Sequence, residues 1–351
     1  MHTRSLLPIS TLSSRRQTGL TLVELMVAIT IGLILVAGIA TLIAQQSSTR
    51  AELDKSNRQI ENGRYALSLL KDDIEHAGFY GQYGGALTPL TALPDPCATT
   101  PVAIDAALAM PLQGYDAPAT VPTPLSACLP NANHIAGTDI LVVRRLEADD
   151  TLPTLSTLVA GQIYVQTTPD AKVTALGPDP TSPTAPTVYV LKQKDGTTPA
   201  ELRKFVEHIY FLSPCNIYAS GSTTCTAAAD GGTPVPTLKR LEMTVISGAI
   251  GFTTVPLVDG IQNLQFDYGI DAVGDGTPGA PVTAPGVADW PNVMAVQVDL
   301  LARNVDPSPG YSDSKTYSMG VSGTVGPFAD AYKRHAYNAD VRAINLSSRR
   351  E

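Results

Sequence analysis

The chain has 351 residues and a formal net charge of −8, with 24 lysines and arginines against 32 acids. Such an acidic chain is unsuited to binding nucleic acid as a bulk property, which takes Lys/Arg surfaces set against phosphate. Glycine and proline number 28 each. That stays under the roughly 25–30% that marks low-complexity disorder, so a sizeable folded region with long loops is expected.

The first element follows Arg4, Arg15 and Arg16. From Leu25 to Ala44 run 20 residues without a charge. As a helix this covers about 30 Å, the thickness of a bilayer hydrocarbon core. The arginines place the N-terminus on the cytoplasmic side and send the rest across. Glu24 stands out at the edge of this run. A carboxylate there is costly, rising to roughly 2.5–3.5 kcal/mol at a helix centre, and is expected to have a partner and a function.

The stretch Gly19-Leu20-Thr21-Leu22-Val23-Glu24 behind a basic leader resembles the class III signal of type IV prepilins. The resemblance implies cleavage between Gly19 and Leu20 by an inner-membrane prepilin peptidase and N-methylation of Leu20. It also implies that Glu24 pairs with the N-terminal amine of a neighbouring subunit inside a filament. On this reading Glu24 is unsatisfied in a lone subunit and satisfied after assembly. A competing reading takes Gly38-Ile39-Ala40 as an ordinary signal-peptidase site, with release of a soluble protein starting at Thr41. Against it, Glu24 interrupts the join between basic and apolar regions, and the apolar run continues through Ile43.

Beyond Ala44 the helix is expected to continue, polar on most sides, to about Glu75. Leu53, Ile60, Leu67 and Ile74 recur every seven residues with Leu70 beside them, which predicts one apolar stripe docked on a sheet. Gly63, in mid-pattern, marks either a kink or close packing. Asp72 and Asp73 read as solvated charge, and Gly78 and Gly81 end the helix. The segment "ENGRYALSLLKDDIEHAGFYG" resembles the post-anchor segment of PilW-type minor pilins.

Residues 82–136 are proline-rich and aperiodic, and are expected to form a long loop with little regular structure. Cys97, Cys128, Cys215 and Cys225 all lie beyond the anchor, where an oxidising compartment favours disulfides. Four cysteines allow three connectivities. Proximity in sequence favours Cys97–Cys128 and Cys215–Cys225. A metal site is a poor alternative, lacking CxxC and a nearby histidine. Strands are expected at 138–148, 161–168, 187–194, 200–213 and 238–246.

In the last third, strands are expected at the start of 257–279 and within 288–304, and 332–349 alternates as a terminal strand. This order resembles PilW and, more distantly, the J-type pseudopilins of type II secretion. Asp271 and Asp275 tempt as a calcium loop. Val273 sits where a third ligand is needed, so a hairpin turn is the better reading.

No HExxH, GxSxG or phosphate-binding glycine loop occurs, and His76, His134, His208 and His335 are scattered, so neither enzyme, cofactor nor metal is expected. The fold expected is α+β and pilin-like: a long N-terminal helix, transmembrane then amphipathic, packed on an antiparallel β-rich C-terminal domain with long loops. The divisions are leader 1–19, membrane half 20–44, amphipathic half 45–77 and periplasmic domain 78–351. The resemblance implies a minor pilin with a methylated N-terminus. It would help initiate a type IV pilus, sit at or near its tip, and serve twitching motility, cell adhesion or DNA uptake. Its partners would be the prepilin peptidase, other minor pilins, the major pilin, a tip adhesin and the inner membrane. It would start as a single-pass inner-membrane protein with a periplasmic domain and enter the pilus at the cell surface. The alternatives are a J-type pseudopilin and, in another class, a membrane-anchored periplasmic ligand-binding domain or enzyme.

Overall fold

The computed structural model describes residues 19–149, 151–177 and 188–348. Residues 1–18 of the leader, with its arginines, position 187 at the start of one expected strand and position 349 at the end of another lie outside the described residues. The chain divides into two units, Met1–Asp54 and Lys55–Glu351.

The first unit is the opening part of α1 (Leu22–His76). Its large apolar side chains, from Leu22 through Ile43, are exposed. By length and apolar composition this helix can cross a membrane. The hydroxyls inside the run are satisfied locally: Thr30 donates to the Val27 carbonyl at 2.9 Å and Thr41 to that of Gly38 at 2.8 Å. Polar groups bonded back to their own helix carry less of the cost of lipid.

The second unit holds the remainder of α1 and an antiparallel β-rich body. In chain order it contains α2 (Pro101–Ala107), β1 (Leu112–Tyr115), β2 (Ile140–Leu146), β3 (Ile163–Thr167), β4 (Lys172–Leu176), β5 (Glu201–Ser213), β6 (Thr237–Ile246) and β7 (Ala249–Asp259). Then come β8 (Ile261–Ile270), β9 (Val293–Arg303), β10 (Tyr317–Ser318), β11 (Thr324–Val325), β12 (Arg334–Arg342) and α3 (Ile344–Ser347). Strands β1 to β7 form one sheet with β5 at its centre, bonded to β2, β3 and β6; β8, β9 and β12 form a second with β9 in the middle. The chain passes from β7 to β8 through Gly260 alone, at φ +77°. A Cβ there would lie 2.6 Å from the Arg303 carbonyl oxygen, so only glycine fits.

The main core lies among α1 and both sheets. Ala66, Leu70 and Ile74 pack with Leu141, Tyr210, Phe266, Val298 and Val341. Trp290 is buried edge-on to Tyr268, ring centres 4.7 Å apart.

The docked face of the helix keeps Leu67, Leu70 and Ile74 of the expected stripe and departs from it at Leu53 and Ile60. Its buried residues are Gln59, Gly63, Ala66, Leu70, Asp73 and Ile74, whereas Leu53 is 57% and Ile60 38% exposed. Gly63 resolves as close packing, because a Cβ there would be driven into the Tyr337 ring. Gln59 donates to the Ala302 carbonyl at 2.8 Å and the Lys333 carbonyl at 3.1 Å, and Asn62 to that of Asp259 at 3.0 Å. The seam thus satisfies backbone acceptors as well as burying carbon.

Several other elements depart from expectation. Residues 82–136 hold α2, opened by Thr100 as N-cap with Pro101 in its first turn, and the edge strand β1. Residues 188–194 form no strand and contribute only a bridge from Lys192 to Pro199. β4 and β7 were not expected, and the terminal strand stops at Arg342, where α3 follows. Cys97 is joined to Cys128 and Cys215 to Cys225, with Cα separations of 5.6 and 5.7 Å. Loop closure makes each worth roughly 2.5–4 kcal/mol.

Candidate assembly interface

Helix α1 begins at Leu22, which makes Thr21 its N-cap and Glu24 its third helical residue. Thr21 donates to Glu24 Oε2 twice, from its backbone N at 3.0 Å and its hydroxyl at 2.9 Å. The Glu24 amide returns a bond to Thr21 Oγ1 at 3.2 Å. This is a capping box, satisfying amides at the start of a helix that would otherwise face lipid unpaired. Every group in it belongs to residues 21 and 24, so the box is retained in a chain cut after Gly19. Here the expectation that Glu24 is unsatisfied in a lone subunit needs correction. Both bonds from Thr21 fall on Oε2, leaving Oε1 for another donor. Thr21 is the cap residue the expectations above lack, although Thr-x-x-Glu before an apolar run is a readable cap signal.

Around this cap the surface is apolar. Leu20 is 76% exposed, and Leu22, Val23, Leu25 and Met26 follow in the same state. A helix greasy on every side and unburied within its own chain requires lipid or other helices around it.

At the far end of α1, in the second unit, Asp73 is buried and multiply bonded. Arg145 Nε lies 2.7 Å from its Oδ1; His208 Nδ1 and the Tyr210 hydroxyl lie 2.6 and 3.0 Å from Oδ2. Burial alone would raise the Asp73 carboxyl, but the hydrogen bond and charge of His208, with those of Arg145, hold it well below the usual carboxylate range. The reading of Asp72 and Asp73 as solvated charge is therefore half right. Asp72 is exposed; Asp73 ties the helix to β2 and β5. The cluster works as a clamp between the helix and the sheet.

The Asp271 loop is likewise filled. Its carboxylate accepts from the backbone amides of Gly274 at 2.6 Å, Asp275 at 3.3 Å and Gly276 at 3.2 Å, and Asp275 accepts from the Thr277 amide at 2.9 Å. Amides pointing inward suit an anion, the polarity opposite to a calcium cage. Among the described residues, no group of three or more His, Cys, Asp or Glu could hold a metal ion.

Comparison with known families gives two matches in separate parts of the chain. Residues 14–40 match the prokaryotic N-terminal methylation motif, and residues 224–345 match the family described as type IV pilus-assembly protein W, PilW. No curated protein matches the sequence. The two matches support a PilW-like type IV pilin and point to a structural protein.

Proposed function

We propose that this PilW-like pilin is a minor subunit that helps initiate a type IV pilus and sits at or near its tip. Prepilin peptidase cuts between Gly19 and Leu20 and methylates the Leu20 amine. The apolar part of α1 holds the protein in the inner membrane, with the β-rich body on the periplasmic side, until it is drawn into the filament. Bulk supports a place near the tip, since a body of this size packs poorly along a dense helical shaft. Other minor pilins, the major pilin and a tip adhesin are the partners such a place offers. The PilW match at 224–345 favours a pilus over the pseudopilus of type II secretion.

One observation carries the reading: the methylation signature coincides with an exposed apolar helix whose capping carboxylate, Glu24, retains an unused oxygen. In a filament a neighbour's N-terminal amine supplies the missing charge. A close ion pair away from water is strong when both charges are otherwise unpaired, and losing one member costs roughly 3–5 kcal/mol in other proteins. In the membrane alone, removing the carboxylate removes a cost.

Two substitutions separate charge from cap. Glu24→Ala removes both; Glu24→Gln keeps an acceptor for Thr21 and removes only the charge. If the ion pair matters, both variants reach normal abundance in membranes and both fall sharply in sheared filaments. Incorporation of Glu24→Gln at the wild-type level would reduce Glu24 to a helix cap. Loss of the variants from the membrane, with assembly per molecule unchanged, would make it an insertion or processing determinant. The processing step has its own check: mass spectrometry of the extracted protein should find a methylated Leu20 at the N-terminus, and a start at Thr41 would overturn the pilin reading.

A further inference from the structure

Between α1 and β12 lies a cavity of about 530 Å³. Ser56, Gln59, Ile60 and Arg64 form the helix side, and Tyr311, Lys315, Lys333, Arg334, His335 and Tyr337 form the other. Its lining includes four basic residues and a histidine but no acid, in a chain whose net charge is −8. Arg334 is already neutralised, with Asp313 at 2.9 Å and Asp330 at 2.6 Å. Arg64 and Lys315 are different: both are exposed, and neither has an ion-pair partner among the described residues. The sequence around Arg64 gives this wall its shape. Gly63 lets Tyr337 press against the helix, and Arg64, the next residue, turns to the cavity.

Resting on the pilin reading, we propose that this cavity docks an acidic peptide segment of a neighbouring filament subunit, whose carboxylates meet Arg64 and Lys315 at the mouth, with Lys333 also lining the cavity. Charge complementarity selects the occupant: the exposed cations Arg64 and Lys315 on a concave lining that holds no acid favour an anion. A guanidinium and an ammonium on one lining each suit carboxylates, the first by a two-pronged bond and the second as a point charge. A nucleic acid fits less well, although Tyr311, Tyr337 and His335 are aromatic. Stacking needs an open ring face. Tyr337 is covered by Gly63 and set edge-on to His335 at 4.6 Å, and the Lys333 ammonium sits over the Tyr311 ring at 5.9 Å. A long polyanion would also meet the acidic remainder of the chain, whereas a short acidic segment meets only this patch.

The test uses the full-length protein in neutral detergent and three labelled probes read by fluorescence anisotropy: hexaglutamate, hexalysine and a twelve-nucleotide oligothymidylate. Hexaglutamate should bind, more weakly as salt rises, and hexalysine should not. Arg64→Glu with Lys315→Glu should lower hexaglutamate affinity by about tenfold or more, since both charges are reversed at the contact. Both positions are exposed, so an unchanged thermal midpoint is expected and confirms that the loss is local. Absence of hexaglutamate binding, or binding indifferent to the double substitution, overturns the proposal. Tighter binding of the oligothymidylate, lost in the same variant, overturns it in favour of nucleic acid. In cells the double variant should be processed at Gly19 and reach the membrane normally, yet enter filaments less often. A failure of processing would count against the pilin reading and leave the binding result standing.

Discussion

Residues 22–43 and 59–76 belong to one helix, yet they are written by different rules. In the first stretch leucine, isoleucine, valine and methionine are exposed on every side. In the second the buried face is Gln59, Gly63, Ala66, Leu70, Asp73 and Ile74, with only two large aliphatic residues. The first is matched to surroundings outside the chain, lipid or other helices, which demand greasiness and little shape. The second is matched to one surface inside the chain, which demands fitted volumes and satisfied polar atoms. Hydrophobicity announces the first kind of contact and under-reports the second.

If that contrast is right, the largest loss of stability from a single change in the second stretch comes from a polar residue. Asp73→Asn keeps the shape but strips Arg145 and His208 of their shared anion. Breaking a buried pair by removing one partner costs roughly 3–5 kcal/mol, and the slight exposure of Arg145 places the expectation near the low end. The pH dependence fixes the cause. The Asp73 carboxyl is held below its ordinary value in the folded state, so the unfolded chain takes up its proton first as pH falls. The stabilisation is fully present above the ordinary carboxylate range and is lost as pH drops below it through the folded value. Urea unfolding of the full chain should therefore show a wide gap between wild type and Asp73→Asn at pH 7 that narrows below about pH 4. A gap of constant size across that range would mean that the charge is not what holds the helix down.

The same contrast explains what the sequence disclosed. The membrane stretch was legible because nothing competes with 20 uncharged residues. The long strands β2, β5, β6, β8 and β9 were legible because each carries its own apolar pattern. Pairing by sequence proximity matched the cysteine connectivity seen in the fold. What was lost depended on neighbours. β4 is a short, half-buried strand whose partner is β3. β7 reads as loop through Gly251, Thr253, Thr254 and Pro256, and is a strand because β6 lies beside it. α2 is seven residues, too short to show a helical period. Leu67, Leu70 and Ile74 of the expected stripe do pack on the core, while its earlier members, Leu53 and Ile60, are exposed. Its spacing is real, but Gly63 and Ala66 mark the face where the backbone can come closest. At the start of the helix the Thr21–Glu24 cap is written in the sequence as Thr-x-x-Glu before an apolar run, a signal that the charge on Glu24 masks.

A smaller and more pointed change tests the close approach at Gly63. In an open helix Gly→Ala stabilises by about 0.8–1.0 kcal/mol. Here the added carbon would enter the Tyr337 ring, and overpacking costs about 1–3 kcal/mol. Gly63→Ala is therefore expected to lower stability by about 1 kcal/mol, opposite in sign to the helix-propensity effect. The control is the same change beside Tyr337→Leu, where the ring is gone and the alanine should become stabilising. If Gly63→Ala stabilises the otherwise wild-type chain, Gly63 is not a contact residue, and the fitted character of the second stretch has been overstated.

The smallest expected effect on stability belongs to Leu53, the residue on which the two ways of reading the helix disagree most. As the first member of a docked stripe it would be buried, and Leu53→Ser would cost about 1.5–3 kcal/mol. The side chain is 57% exposed, so the change should stay within about 0.5 kcal/mol, as for an ordinary surface site. Exposure inside the subunit does not make the residue idle. Leu53 falls in the same unit as the greasy stretch, and if it shares that stretch's role, its apolar surface is for a neighbouring helix in the filament. Leu53→Ser should then leave the unfolding midpoint where it was and lower the amount of protein in sheared filaments. An unmoved midpoint with unchanged incorporation would end the outward-facing stretch before Leu53. A lost midpoint would restore the stripe and show that the helix docks along more of its length than the buried residues from Gln59 onward account for.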